Sequence, residues 1–127
     1  LEKTILLLEI QDAEIIESDK SILKRVLINM LKNALEATPK GGVVNLGAKL
    51  KEDGKNIRFF VNNQMEMERM VKLQVFQRSF STKGKNRGIG TYSIKLFTEK
   101  YLRGTASFIS NAEIGTTFYI DIPVYWE

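Results

Sequence analysis

Val26-Leu27-Ile28-Asn29-Met30-Leu31-Lys32-Asn33-Ala34-Leu35-Glu36-Ala37 is the stretch on which the fold turns. Leu23, Leu27, Met30, Leu31 and Ala34 recur three and four residues apart, the spacing of one face of an α-helix. Ser18 or Asp19 offers an N-cap, and Thr38-Pro39-Lys40-Gly41-Gly42 is a strong breaker, so the spacing predicts a helix over residues 22–37. Asn29 and Asn33 stand one turn apart on one side of that helix, flanked by Arg25, Lys32 and Glu36. Asn costs a helix roughly 0.7 kcal/mol relative to Ala, so two of them ask for a reason. One is a merely solvated face. The other is a pair of amide oxygens offered to a hydrated hard cation, which prefers oxygen ligands.

On either side of this helix the periodicity changes to that of strands. Residues 4–10 are apolar and residues 13–17 carry adjacent isoleucines, which predicts an edge hairpin turning at Gln11-Asp12. Residues 43–50 and 57–62 read as paired neighbours around the turn at residues 52–56. A short helix is expected over residues 66–76. Periodicity then disappears from Ser79 to Gly90 and returns as a helix over residues 91–102, closed at Arg103-Gly104 in the manner of a glycine C-cap. Two more strands, residues 105–110 and 116–124, flank a turn at residues 111–115. The order implies an α+β domain over residues 1–127. It is a two-layer α/β sandwich with about three helices on one face of a mixed, largely antiparallel sheet.

Composition narrows the function. The 127 residues are 43% hydrophobic, enough for one buried core without disulfides, and there is no cysteine. No apolar run approaches the roughly 20 residues of a membrane helix, and no signal-peptide pattern opens the chain, so a soluble, cytoplasmic fragment with no direct membrane contact is expected. The formal net charge is +4, yet the basic residues are scattered except in the loop before Gly90, which suits a local anion better than nucleic acid. The chain has no histidine, which excludes an imidazole base and leaves oxygen as the donor for any metal. In that loop Ser79, Ser81, Thr82, Lys83, Lys85 and Arg87 precede Gly88-Ile89-Gly90 at the start of a helix. Hydroxyls, cations and the free N–H groups of a helix N-terminus together suit a polyphosphate, although a solvated surface loop has the same composition.

Residues 26–37 resemble the N-box of histidine kinases and their relatives in the GHKL ATPase superfamily. Val75-Phe76-Gln77-Arg78-Ser79-Phe80-Ser81-Thr82-Lys83-Gly84 resembles the kinase F-box, Arg87-Gly88-Ile89-Gly90-Thr91 the second glycine box, and Gly115-Thr116-Thr117-Phe118 the last glycine motif. The resemblance runs in family order over nearly the whole chain and implies the Bergerat fold, with ATP between the N-box helix and a lid. It implies Asn33 as the Mg²⁺ ligand with Asn29 beside it, and Lys83, Gly88 and Gly90 at the phosphates. Asn29, Asn33 and Lys83 would form the catalytic set. Phe80 would anchor the lid, Thr82, Arg87, Ile89 and Thr91 would contribute to the nucleotide cradle, and Thr117 would lie near the adenine end.

One motif departs from the family. Where Asp-x-Gly-x-Gly should follow the strand at residues 57–61, the chain reads Asn62-Asn63-Gln64-Met65-Glu66-Met67. Asn63 best matches the Asp, whose carboxylate in the family accepts a hydrogen bond from the adenine amino group. An Asn oxygen can accept the same bond without charge assistance, and its NH₂ then needs another partner. Met65 and Met67 replace both glycines, either as packing or as an altered pocket wall.

Hydrolytic members of the superfamily carry a general-base Glu four residues before the metal-binding Asn. Here that position is Asn29, which cannot take a proton at neutral pH. The resemblance therefore implies a kinase passing the γ-phosphoryl of Mg-ATP to a histidine on a helical dimerisation domain expected before Leu1. From there the phosphoryl would go to the receiver domain of a response regulator. A catalytically silent nucleotide-binding or interaction module and an anti-sigma-factor type serine kinase are the alternatives.

Overall fold

The computed structural model describes residues 4–10, 19–76 and 87–124. Its elements are β1 (Thr4–Ile10), α1 (Lys20–Ala37), β2 (Val43–Leu50), β3 (Asn56–Asn63), α2 (Arg69–Gln74), α3 (Arg87–Lys100), β4 (Thr105–Asn111) and β5 (Gly115–Pro123). The strand expected at residues 13–17, and hence the edge hairpin, falls outside the described residues.

Helix α1 begins where the Asp19 carboxylate accepts the Ile22 N–H at 3.0 Å, satisfying one of the free donors of the first turn. It ends where the buried Thr38 hydroxyl donates to the Ala34 carbonyl at 2.7 Å and Gly41 takes a left-handed φ of 84°. Its buried stripe is Val26, Met30 and Ala34, with Leu23, Leu27 and Leu31 partly buried beside it. The helix is thus rotated so that Val26, rather than Leu23 and Leu27, heads the line of deepest contact.

Five strands form one mixed sheet in the order β1-β2-β3-β5-β4, with β1 parallel to β2 and every other pair antiparallel. Alternation along β5 assigns the faces. Thr116, Phe118, Ile120 and Ile122 are buried toward the helices, while Thr117, Tyr119 and Asp121 stand on the face without helices. Register carries the same parity into β3, pairing Thr116 with Asn63, Phe118 with Val61 and Thr117 with Asn62. Helices α1 and α3 pack together over the inner face, with the Arg25 guanidinium 5.2 Å from the centroid of the Phe97 ring. Helix α2 buries no residue of its own. It is held at the rim by Val75 and Phe76 just after it, and the Phe76 ring meets Phe108 and Phe118 edge-on at 5.8 and 5.9 Å.

Two local expectations are corrected. The residue with positive φ after α3 is Arg103, at 59°, not Gly104. Gly104 is needed for another reason, because a Cβ there would overlap the Asp121 carbonyl oxygen on β5. Helix α3 also starts at Arg87, four residues earlier than its apolar spacing suggests, so Gly88 and Gly90 lie in its first turn and not in the loop before it. Among the described residues no helix is long and apolar enough to cross a membrane.

Candidate functional site

Strand β3 ends at Asn63, and the chain leaves the sheet there under tight control. Gly115 at the start of β5 has φ of 78°, and a Cβ on it would collide with the Asn63 carbonyl oxygen and the Gln64 backbone, so only glycine admits this approach. The Asn63 side chain is 2% exposed, and its Oδ1 accepts the Met65 N–H at 3.0 Å, closing an Asx turn. The Thr116 hydroxyl donates to the Met65 carbonyl at 2.7 Å. That spends its only proton, so the 2.8 Å contact between the Ser110 and Thr116 hydroxyls runs from Ser110 to Thr116. Ser110 Oγ in turn accepts the Met67 N–H at 2.8 Å. This chain of bonds pins residues 63–67 to the ends of β4 and β5.

The two glycines missing from this segment are not replaced by strained backbone. Among the described residues Arg103 is the one non-glycine with positive φ, so Met65 and Met67 adopt conformations open to any residue. The two methionines also part company: Met67 packs against the core, whereas Met65 is exposed.

Asn29 and Asn33 each sit one residue before a core position of α1, Met30 and Ala34, and are therefore half-buried at the margin of the packed stripe. They share a side with Arg25, which lies against Phe97 of α3. Neither amide has a hydrogen-bond partner among the described residues, and two half-buried neutral oxygens one turn apart fit a hydrated divalent cation with phosphate partners. Among the described residues there is no cluster of three or more Asp, Glu, His or Cys able to hold a metal alone. Among the described residues the groups whose pKa moves, Asp53, Arg58 and Asp121, lie in the β2–β3 turn or on the face without helices, away from the three asparagines.

The backbone of Arg87, Gly88, Ile89 and Gly90 forms the first turn of α3, whose leading N–H groups have no partner within the helix. Thr91 is buried at the end of that turn. Phe80, Thr82 and Lys83 lie outside the described residues. Thr117 is not brought to this site. Its hydroxyl faces the side without helices and accepts the Asn62 Nδ2–H at 2.9 Å, in a cluster where Asn62 Oδ1 accepts from Asn45 at 3.1 Å. The hydroxyl on Asn63's face is Thr116, which the motif reading missed. The signal was the register, because Thr116 and not Thr117 pairs with Asn63. Ser110 was missed for the same reason, since it pairs with Thr116 from β4.

This architecture recurs in known proteins. The chain is 31% identical over 114 residues to sporulation kinase A of Bacillus subtilis, covering 89% of this chain and 18% of that one. It is 33% identical over 114 residues to sporulation kinase B of the same organism, covering 86% and 25% respectively. The chain thus spans about a quarter or less of these relatives. The solved catalytic domain of histidine kinase ThkA in a nucleotide-free form superposes with a TM-score of 0.80 at 25% identity, over 98% of this chain and 81% of that one. A family model described as histidine kinase-, DNA gyrase B- and HSP90-like ATPase matches residues 18–125, and the chain belongs to that family.

Proposed function

We propose that the chain is the nucleotide-binding catalytic unit of a two-component histidine kinase. In this reading it takes Mg-ATP and passes the γ-phosphoryl to a histidine. The observation that carries the proposal is the Asn29–Asn33 pair, half-buried and without partners among the described residues, with an amide where a hydrolytic ATPase needs a carboxylate base. The relatives support it, since the sporulation kinases and ThkA are named as kinases.

Asn33 would hold Mg²⁺ through its amide oxygen with Asn29 beside it, and the ion would neutralise charge on the phosphates. The first turn of α3, through the N–H groups at Arg87 to Gly90, would receive the phosphates, with Lys83 and Thr82 adding charge and a hydroxyl donor and Phe80 anchoring the lid. Thr91 would support that turn, and Asn63 would meet the base. The acceptor needs little activation. A neutral imidazole nitrogen already carries the lone pair that forms the N–P bond as the bridging bond to the β-phosphate breaks and ADP departs. What the protein supplies is alignment and charge.

The 127 residues contain no histidine, so the phosphoryl acceptor lies outside them. We infer a helical dimerisation domain carrying that histidine, and a response-regulator receiver as the next acceptor. ThkA has been solved bound to the response regulator TrrA, in a structure that resembles this chain at a TM-score of 0.71.

The test is calorimetry with ATP and ADP, with and without Mg²⁺, followed by phosphoryl transfer in the full-length protein. Binding is expected to gain from Mg²⁺, and Asn33→Ala is expected to remove that gain while leaving metal-free binding in place. No nucleotide binding by the folded chain would favour a silent module. Hydrolysis at rates typical of chaperone or repair ATPases would sink the kinase reading.

A further inference from the structure

We propose that Asn63 inverts the base preference of the site, so that a purine carrying a carbonyl at position 6 binds more tightly than adenine. The proposal rests on the nucleotide-binding reading above and concerns its base end alone.

A carboxylate at this position has two equivalent oxygens. One can accept the backbone N–H that closes the turn, and the other is left as an acceptor for an exocyclic amine. A carboxamide of the same shape has one oxygen, and the Met65 N–H fixes where it points, because a backbone donor can be met only by Oδ1. The branch left over is therefore Nδ2, a donor with no hydrogen-bond partner among the described residues, on a side chain that is 2% exposed. The amide cannot flip to reverse this. Turning Nδ2 toward Met65 would set two donors against each other and leave the part-buried Met65 N–H without its acceptor.

The protons of the neighbouring hydroxyls are fixed as well. Thr116 gives its proton to the Met65 carbonyl and receives one from Ser110, and Ser110 is itself held by the Met67 N–H. The backbone is equally fixed, because Gly115 lies against the Asn63 carbonyl oxygen. Among the described residues these groups are committed to one another, and Asn63 Nδ2 is the branch without a hydrogen-bond partner. Against the 6-amino group of adenine, Nδ2 is donor facing donor. Against the 6-carbonyl of hypoxanthine or guanine it is donor facing acceptor.

Inosine and adenosine diphosphates differ only along the edge formed by positions 1 and 6, carbonyl with N1–H against amine with bare N1, since neither carries a substituent at position 2 and their phosphates are identical. Calorimetry of the folded chain with each, in Mg²⁺, is expected to show inosine diphosphate bound about tenfold more tightly. Asn63→Asp restores the acceptor and is expected to reverse the order. Tighter binding of adenosine diphosphate to the natural sequence would overturn the proposal while leaving the nucleotide site standing. An unchanged ratio in Asn63→Asp would overturn the role of Asn63. If neither diphosphate binds, the nucleotide-binding reading falls and this proposal falls with it. The comparison on the unaltered chain decides the question even if the variant does not fold.

Discussion

At the residue scale, two glycines of the same backbone class separate conformational strain from steric overlap. Gly54 and Gly115 both have positive φ, at 68° and 78°. A Cβ on Gly54 meets nothing within 4 Å, whereas one on Gly115 runs into the Asn63 carbonyl oxygen and Gln64. Gly54→Ala should therefore lose only the left-handed penalty, about 1 kcal/mol. Gly115→Ala should lose about 2–4 kcal/mol and weaken nucleotide binding too, because Asn63 must move. Urea unfolding of both variants gives the comparison, and equal losses would mean that the close approach at Gly115 has no energetic weight. The two threonines beside it divide in the same way. Thr116→Val removes the donor to the Met65 carbonyl from a part-buried network and should cost about 1–2 kcal/mol. Thr117→Val leaves Asn62 Nδ2 with the Ile114 and Thr116 carbonyls at 2.9 and 3.3 Å, and should cost less than about 1 kcal/mol by the same unfolding measurement. The motif Gly115-Thr116-Thr117 was legible in the sequence, but which threonine served the site was not. Alternation gives two parities, and only pairing with β3 selects one.

Among the elements, what the sequence revealed depended on how local the cause was. Strand β2 spans Val43–Leu50 as its turn signals indicate, since the Asp53 carboxylate organises the β2–β3 turn by accepting from Lys55 N–H, Asn56 N–H and Asn56 Nδ2. Helix α1 was equally plain from its breaker and its cap. Asp19→Ala should cost about 1 kcal/mol in thermal or urea unfolding, and Asp19→Asn, which keeps an acceptor for Ile22 N–H, should recover most of it. The start of helix α3 is hidden in the sequence because Gly88 and Gly90 are poor helix formers, each costing about 1 kcal/mol. Local preference put them in a loop, yet the helix extends through them. Helix α2 is shorter than its composition suggests, for the opposite reason. Glu66 and Met67 look helical by composition, but the Met67 N–H is taken by Ser110 and the helix starts only at Arg69. The bond that shortens α2 comes from Ser110, 43 residues away in sequence, where no window of local residues reaches. The placement of β5 between β3 and β4 was hidden likewise, because strand order is decided by packing of the whole sheet.

For the whole molecule, the face of the sheet without helices holds a charge cluster that ties the β2–β3 hairpin to β5, more than 60 residues away in sequence. The Asp121 carboxylate on β5 accepts from Arg58 Nε and Nη2 on β3 at 2.7 and 2.9 Å, and from Lys51 Nζ after β2 at 3.1 Å. Arg58 also stacks 4.2 Å from the centroid of the Tyr119 ring. Partial burial by itself raises the pKa of Asp121, but the hydrogen bonds from Arg58 and Lys51 outweigh it, and the carboxyl titrates below its ordinary value of 3.8. A carboxyl whose pKa is depressed by folding contributes stability that is fully present above its unfolded pKa. That contribution is lost as pH falls through the folded value. The contribution of Asp121 should therefore be intact at about pH 5 and above and disappear on acidification below about pH 4. Asp121→Asn keeps the shape, loses the charge, and should cost about 1–3 kcal/mol at neutral pH. The gap between the natural sequence and this variant in urea unfolding should then narrow as pH is lowered from about 5 to about 3, because protonation makes the carboxyl resemble the amide. Asp53 shifts in the same direction through its bonds to Asn56 and Lys55, so the Asp121→Asn variant should keep a smaller acid sensitivity of its own. A gap that stayed constant over that range would show that Asp121 acts through packing and not through its charge.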